Sequence, residues 1–365
     1  MTSLLHQLKV LVFIGLGGCF IPLSAQQKID YSVECIAFYN VENLFDTVND
    51  SLTFDDDRTE LGKDNWTPAK YQQKITNIAK VLSEIGAEVT KSPPAVIGLS
   101  EVENRKVLED LVNDPQLKTF QYQIVHFDSP DERGIDVALL YKAASFRMLD
   151  SKSHRLIIYE ANNPSKRDYT RDQLVVSGLL NGEEIHFIVN HWPSRSGGEA
   201  KSAYKREKAA FLNKRIIDSL YKIDLQAKII SMGDFNDDPT NKSFKKILNT
   251  KSTINQLQDQ ELYNPMENML RQGKGSLAYR DSWNLFDQFY MSSSLTHKSN
   301  TGYQFYKAGI FNKAYLITQN GQFKGYPFRT YGNTGYEGGY SDHFPVYVYL
   351  IRAHYPALLQ GKGDE

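Results

Sequence analysis

Cysteine is almost absent: Cys19 and Cys35 are the only two in 365 residues. That excludes a small disulfide-stapled scaffold, and loss of Cys19 with a leader would leave no internal disulfide at all. Cys35 follows Val33 and Glu34 in a strand-like run, which marks it as a buried, inert thiol. Long apolar runs are equally scarce. The stretch 10–23 is too short and too Gly-rich for a membrane span. No sign of charge dominates either, since the formal net charge is −1. No basic block forces a nucleic-acid partner, although a local basic rim would suffice for one. Repeats and low-complexity linkers are missing too, so nothing divides the chain beyond its first residues.

Those first residues read as a leader. One Lys precedes the apolar stretch, and Leu23-Ser24-Ala25-Gln26 offers small side chains where a signal peptidase cuts. The expectation is a signal peptide over 1–25 and one domain over 26–365, secreted or periplasmic. Leu16-Gly17-Gly18-Cys19 also resembles a bacterial lipobox, which would acylate Cys19 and anchor the protein to lipid.

The remainder alternates short β-type runs with helical ones. Residues 33–39, 94–99, 122–125, 137–141, 146–148, 156–159, 173–180, 184–190, 227–231, 283–291 and 344–351 read as strands. Thr67-Pro68 opens a helix whose apolar positions Tyr71, Ile75, Ile78, Ala79, Leu82 and Ile85 recur at helical spacing. Gly86 is placed to end it. Further helices are expected at 105–112, 242–248 and 199–220, the last with Tyr204, Phe211, Leu212, Ile216 and Leu220 on one side. Asn181-Gly182 signals a hairpin, and a polar turn at 128–134 joins another strand pair. Residues 319–339, rich in Gly and Tyr, form a long loop. This pattern predicts an α/β fold of mixed sheets with helices outside. Two such sheets packed face to face would gather several strand ends on one edge.

Polar clusters sit at those ends. Ile229 to Gly233 leads directly into Asp234-Phe235-Asn236, and residues two apart in an extended chain share a face. Asn40 and Glu42 follow the first strand, an oxygen pair able to hold a hard cation or a phosphate. Glu101 ends an apolar run and suits Mg²⁺, which takes one or two carboxylates and keeps its waters. Glu103 reads as an acid in a helix's first turn. His191, in Asn190-His191-Trp192-Pro193, can hydrogen-bond a phosphoryl oxygen or donate a proton. Asp342 and His343 are adjacent, so one can bind metal while the other faces substrate. Asp287 is the candidate to orient His343 and fix its tautomer, and Asp136 is expected to serve His191 in the same way.

The set in order, Tyr39-Asn40-Val41, Glu101, His191-Trp192-Pro193, Gly233-Asp234-Phe235-Asn236, Asp287 and Ser341-Asp342-His343, resembles the endonuclease/exonuclease/phosphatase superfamily over nearly the whole mature chain. Any one motif is weak, and six in sequence are strong. The resemblance implies a four-layer α/β sandwich, two mixed sheets face to face with helices outside. It implies that Glu101 is the principal ligand of Mg²⁺ or Mn²⁺, with Asn40, Glu42 and Asp342 around the ion. Asp234 and Asn236 would position or activate the attacking water, while His343 with Asp287, and His191, flank the phosphoryl group. Arg171 matches a phosphate-contacting Arg of the deoxyribonuclease branch. The general base is an Asp or a His. No Cys pair matches the structural disulfides of the pancreatic enzymes, so the branch stays open.

The resulting expectation is a secreted, metal-dependent phosphodiesterase acting as a monomer on nucleic acid. Alternatives are a phosphatase or phospholipid phosphodiesterase of the same fold, and a non-catalytic secreted binding protein. The last sits poorly with six filled site positions. In the 319–339 loop, Arg329 and the tyrosines are placed either to stack on substrate or to form a lid packed on itself.

Overall fold

Period-two patterning shows directly in the strands, because their alternate residues enter different cores. Phe38 faces one core and Tyr39 the next, as do Phe187 and Ile188, and Ile230 and Ile229. The computed structural model describes residues 29–297, 302–333 and 335–354. The expected signal peptide and Cys19 lie outside these residues.

Twelve strands build two sheets. They are β1 (Asp30–Leu44), β2 (Val96–Val102), β3 (Tyr122–His126), β4 (Asp136–Lys142), β5 (Phe146–His154), β6 (Gln173–Leu180), β7 (Glu183–His191), β8 (Ile229–Asp234), β9 (Leu262–Tyr263), β10 (Asp287–Ser292), β11 (Gln304–Ile310) and β12 (Val346–His354). The first sheet runs β11-β12-β1-β2-β4-β3 and the second β9-β10-β8-β7-β6-β5. Both are mixed. β1 and β2 are parallel while β2 and β4 are antiparallel; β7 and β8 are parallel while β8 and β10 are antiparallel.

Between the sheets lies one core, with Phe38, Val96 and Leu139 from the first and Phe187, Met232 and Phe289 from the second. Burying each such side chain contributes roughly 1.5–3 kcal/mol. The first sheet's other face is covered by α1 (Pro68–Glu84) and α2 (Arg105–Asn113) through Ile75, Ile78, Leu82, Val107 and Leu111. The second sheet's other face carries α3 (Glu199–Tyr221) through Ala209, Ile216 and Ile217. Helix, sheet, sheet, helix is the four-layer sandwich expected.

Local signals mostly hold. Thr67 caps α1 through its side chain, and Gly86 follows the helix with a left-handed φ of 73°. Asn181 and Gly182 take left-handed φ of 47° and 89° between β6 and β7, the geometry of a tight hairpin turn. Cys35 is buried and free, and burial pushes its thiol up.

Other expectations need correction. Phe211 is 54% exposed rather than buried. The inner face of α3 instead includes Arg206 and Asn213, each fully buried. Arg206 pairs with Asp237, and Asn213 donates to Asn190 and Gln173. Satisfied polar groups on a buried face disguise the apolar period. The segment 283–291 is not one strand: Ser282–Asn284 closes a small hairpin, and β10 starts at Asp287. Residues 242–248 become a π-helical turn, Ser243–Leu248.

Candidate active site

Backbone register brings the first residues together. Asp234, the last residue of β8, pairs with His191 of β7 on one side and Asp287 of β10 on the other. Three site residues therefore stand at one level on three neighbouring strands. Gly233 makes the approach feasible. A Cβ there would lie 2.4 Å from the Asn190 carbonyl oxygen and 2.6 Å from the Asn190 Cβ, so any side chain would push β8 off β7.

The facing sheet meets them with bulges. Register slips in β1 between Asn40 and Leu44 and in β2 between Ser100 and Val102. Glu42, Asn43 and Glu101 take left-handed φ of 52°, 54° and 63°, and Asn236 takes 51°. Such conformations cost about 1–3 kcal/mol each and gather at functional sites. The bulge also corrects one expectation, because Asn40 and Glu42 do not share a face. Asn40 Nδ2 donates to Asp234 Oδ2 at 3.1 Å, joining the two sheets. Glu42 turns the other way, accepting the Thr330 N–H at 2.7 Å.

Asp287 and His343 meet as expected. His343 Nδ1 lies 2.7 Å from Asp287 Oδ2, with both groups buried. Burial opposes a charge on His343, but Asp287, its hydrogen bond, Asp234 and Asp342 outweigh it and hold the imidazole well above its ordinary pKa. His191 behaves oppositely. Burial, then the nearby Arg171, Arg133 and His343, hold it well below the ordinary value. Its Nε2 is 3.6 Å from Asp234 Oδ2 and 3.8 Å from Glu101 Oε1. One histidine is thus kept charged and the other neutral. Asp234 is pushed up to about 7 by burial, with Asp287 and Glu101 adding to it and His343 opposing.

Asn236 donates its backbone N–H to Asp234 Oδ1 at 3.0 Å and its side-chain amide to the Trp192 carbonyl at 3.0 Å. Arg171 is buried, with Nη1 on Asp131 at 2.8 Å and Nη2 on the Trp192 carbonyl at 2.7 Å. It braces the backbone beside His191, and its Nε lacks a partner among the described residues. Asp136 does not orient His191. Its carboxylate is bonded to His126 at 3.0 Å and to the Ser129 N–H at 2.7 Å, and His191 Nδ1 has no partner among the described residues. Glu103 lies before the Asn104 cap of α2, where it accepts the Asp46 N–H at 2.6 Å rather than lying in the first turn.

The expected metal ligands divide into two groups. Glu101 Oε2 accepts the Asn43 N–H at 3.0 Å, and Oε1 lies 3.8 Å from His191 Nε2. Glu42 and Asp342 instead hold cations. Arg329 Nη2 is 2.6 Å from Asp342 and its Nε is 3.6 Å from Glu42, with Lys74 Nζ 3.8 Å from Glu42. Among the described residues, three His, Asp or Glu ligand atoms lie within 4.8 Å of one another only at His126, Asp128 and Asp136. Glu42, Glu101 and Asp342 are thus not drawn into one tight cage. The donor set still suits a hard cation. It is all oxygen, and Glu42 too is pushed up to about 7 by burial and by Asp342, against the opposing pull of Lys74 and Arg329. Mg²⁺ needs only one or two carboxylates beside water; Glu101 can supply one, with the Asn40 amide oxygen beside it.

Two residues were missed from sequence. Lys74 is fully buried and donates to Thr330 Oγ1 and the Tyr340 carbonyl, each at 2.6 Å. Its signal was present: position 74 shares the helical face of Tyr71, Ile75 and Ile78. Arg133, half-exposed in the 128–134 turn, lies close enough to influence His191.

A sequence model described as Endonuclease/Exonuclease/phosphatase family matches residues 35–352. The chain belongs to this family. Its name spans nucleases and phosphatases, both of which cleave phosphoester bonds. No curated protein sequence matches the chain. Among solved structures it is similar to an endonuclease/exonuclease/phosphatase family protein from Bacteroides thetaiotaomicron, 20% identical, covering 88% of this chain and 99% of that one at TM-score 0.52. A mannosyl-6-phosphatase from the same organism is 19% identical over 87% and 99% at TM-score 0.51. TDP2 of D. rerio, complexed with single-strand DNA product, is 14% identical over 87% and 99% at TM-score 0.51. These likenesses establish the fold.

Proposed function

We propose that the protein is an exported, divalent-metal-dependent phosphodiesterase that hydrolyses nucleic acid by in-line attack of water. The observation that carries the reading is the His343–Asp287 pair at 2.7 Å, standing at the level where Asp234 and His191 are paired by register. A charged histidine, a neutral one and a carboxyl near 7 are the acid–base kit that phosphoester hydrolysis near neutral pH needs.

Each group then has a task. Asp234 accepts the proton of the attacking water, because His343 is committed to Asp287 and already charged. His343 and His191 hydrogen-bond the phosphoryl oxygens, and Asn236 and Arg171 keep the Trp192 carbonyl, and so His191, in position. Glu101 and Asn40 would hold the cation, with Glu42 and Asp342 beside them. Mg²⁺ or Mn²⁺ bound there would supply charge neutralisation at the phosphoryl and leaving oxygens.

A polyanionic substrate is favoured by Arg133 and Arg329. Both are partly exposed cations beside the centre, Arg133 3.5 Å from Asp131 and Arg329 2.6 Å from Asp342, suited to phosphates flanking the scissile one. The TDP2 neighbour with DNA product accords with this, and the phosphatase neighbour marks the competing reading. Purified protein with Mg²⁺, offered plasmid DNA, RNA, sphingomyelin and inositol phosphates in parallel, tests it. Cleavage of DNA or RNA that stops in chelator is expected. Intact nucleic acid beside turnover of a phosphomonoester or lipid would replace the reading. Export is tested by the mature N-terminus, expected at Gln26, whereas an acylated Cys19 would show lipid anchoring.

A further inference from the structure

A second feature opens on the site from the side of the 319–339 loop. A cavity of about 390 Å³ has Arg329 and Asp342 among its lining residues and also Tyr279, Arg280, Phe323 and Tyr326. Asp342 is the residue before His343, so one part of the cavity borders the reacting centre. Elsewhere Tyr279, Phe323 and Tyr326 give the lining an aromatic part, set among polar residues that include Arg280, Asp281 and Glu337.

The wall is built and held. Leu277–Tyr279 and Ser282–Asn284 form a hairpin whose turn residues, Arg280 and Asp281, both take left-handed φ, 49° and 60°. Asn, Asp and Gly normally fill such turns; here Arg280 takes one of the two positions and Asp281 is locked in the other. Tyr326 donates its hydroxyl to Asp281 at 2.6 Å and accepts the Asp281 N–H at 2.7 Å. Phe323 and Tyr326 lie with ring centroids 5.6 Å apart, and Tyr326 also packs near Trp283 at 6.0 Å. The loop is pinned by Thr318 and Tyr326 through a backbone bond of 2.8 Å. Tyr279 nevertheless stays 63% exposed, with the Arg280 guanidinium 5.2 Å from its ring centre.

Apolar rings fixed by a rigid latch, left open to solvent, and bordered by arginines suit a flat aromatic group attached to a phosphate. The volume is in the range of small-molecule sites. Base-on-aromatic stacking beside cationic backbone contacts is how proteins hold single strands without reading sequence. We infer that this cavity receives the base of the nucleotide adjoining the scissile phosphate, with Tyr279 and Phe323 as stacking faces. The inference rests on the nucleic-acid reading above and adds the residues that set substrate preference.

The test uses the full protein with Mg²⁺ and two oligonucleotides of equal length, one with normal bases and one with abasic sugars around the cleavage site. Tyr279→Ala and Phe323→Ala are each expected to lower kcat/KM on the normal strand about 10-fold, mainly through KM, and to change the abasic strand less than about twofold. Tyr279→Phe, which keeps the ring, should stay near wild type. Thermal melting of each variant checks that the fold is kept. Equal losses on both strands, or no loss on either, would overturn the subsite while leaving the nuclease reading standing. If the wild-type protein cleaves neither strand, the nuclease reading falls and the subsite falls with it.

Discussion

The two halves of the site are assembled by different means. His191, Asp234 and Asp287 are placed by the backbone register of β7, β8 and β10, and each is almost wholly buried. Glu42 and Asp342 stand on a bulge and a loop, and their charges are answered by Arg329 and Lys74. The backbone of the first group is fixed by sheet hydrogen bonds, and Asp287 within it is paired with His343. The second is held by side-chain cations that a bound metal or a phosphate can compete with. The difference suggests a rigid acid–base wall facing an adjustable electrostatic one.

Substitutions should separate the two. Asp287→Asn is expected to lower turnover about 10³-fold, since general acid–base and electrostatic help from a positioned histidine is worth that order. It should lower the melting temperature as well, because buried His343 loses its charge partner, but by far less than it lowers turnover, because β10 stays paired. Steady-state kinetics with a thermal melt checks both, and near-normal turnover would return Asp287 to a structural role. Glu101→Gln should lower activity about 10²-fold, partly recovered by excess metal; isothermal titration of Mg²⁺ would show weaker binding apart from any activity. Lys74→Met acts only on the adjustable side. Losing its bonds to Thr330 and Tyr340 should destabilise the protein by about 2 kcal/mol in a urea titration, and an unchanged midpoint would mean the loop is held without it. Smallest of all, Arg133→Ala should flatten the salt dependence of nucleic-acid binding by about one unit of slope. An unchanged slope would remove Arg133 from the phosphate path.

Legibility from sequence follows the same division. Asp234, His191 and Glu101 could be read because each ends a period-two apolar run, and the pairing of Asp287 with His343 followed from a histidine needing a fixed tautomer. The sheet stacking was legible from hairpins alternating with helices. What escaped reading depends on contacts far apart in sequence and on local backbone geometry. Lys74 lies 256 residues from its partner Thr330, and Arg329 was visible only as a cation in a loop. Asp136 was misassigned because two histidines, His126 and His191, compete for it, and only strand register brings His126 within 3.0 Å. Asn40 and Glu42 were misread together because left-handed residues at 42 and 43 break the alternation, and no sequence rule marks Glu for that conformation.

The central claim is that Asp287 holds His343 charged within the rigid wall, and an NMR pH titration of the His343 ring tests it most directly. Burial alone would lower that pKa, and the carboxylate beside it raises it well above the ordinary histidine value. The pairing should therefore stabilise the fold fully below the unfolded histidine pKa of about 6.5. That stabilisation is lost as pH rises through the higher folded value. The wild-type ring is expected to titrate well above about 6.5, and in Asp287→Asn to drop markedly toward or below it. A His343 pKa at or below the ordinary value in the wild type, or one that does not move in Asp287→Asn, would contradict the account.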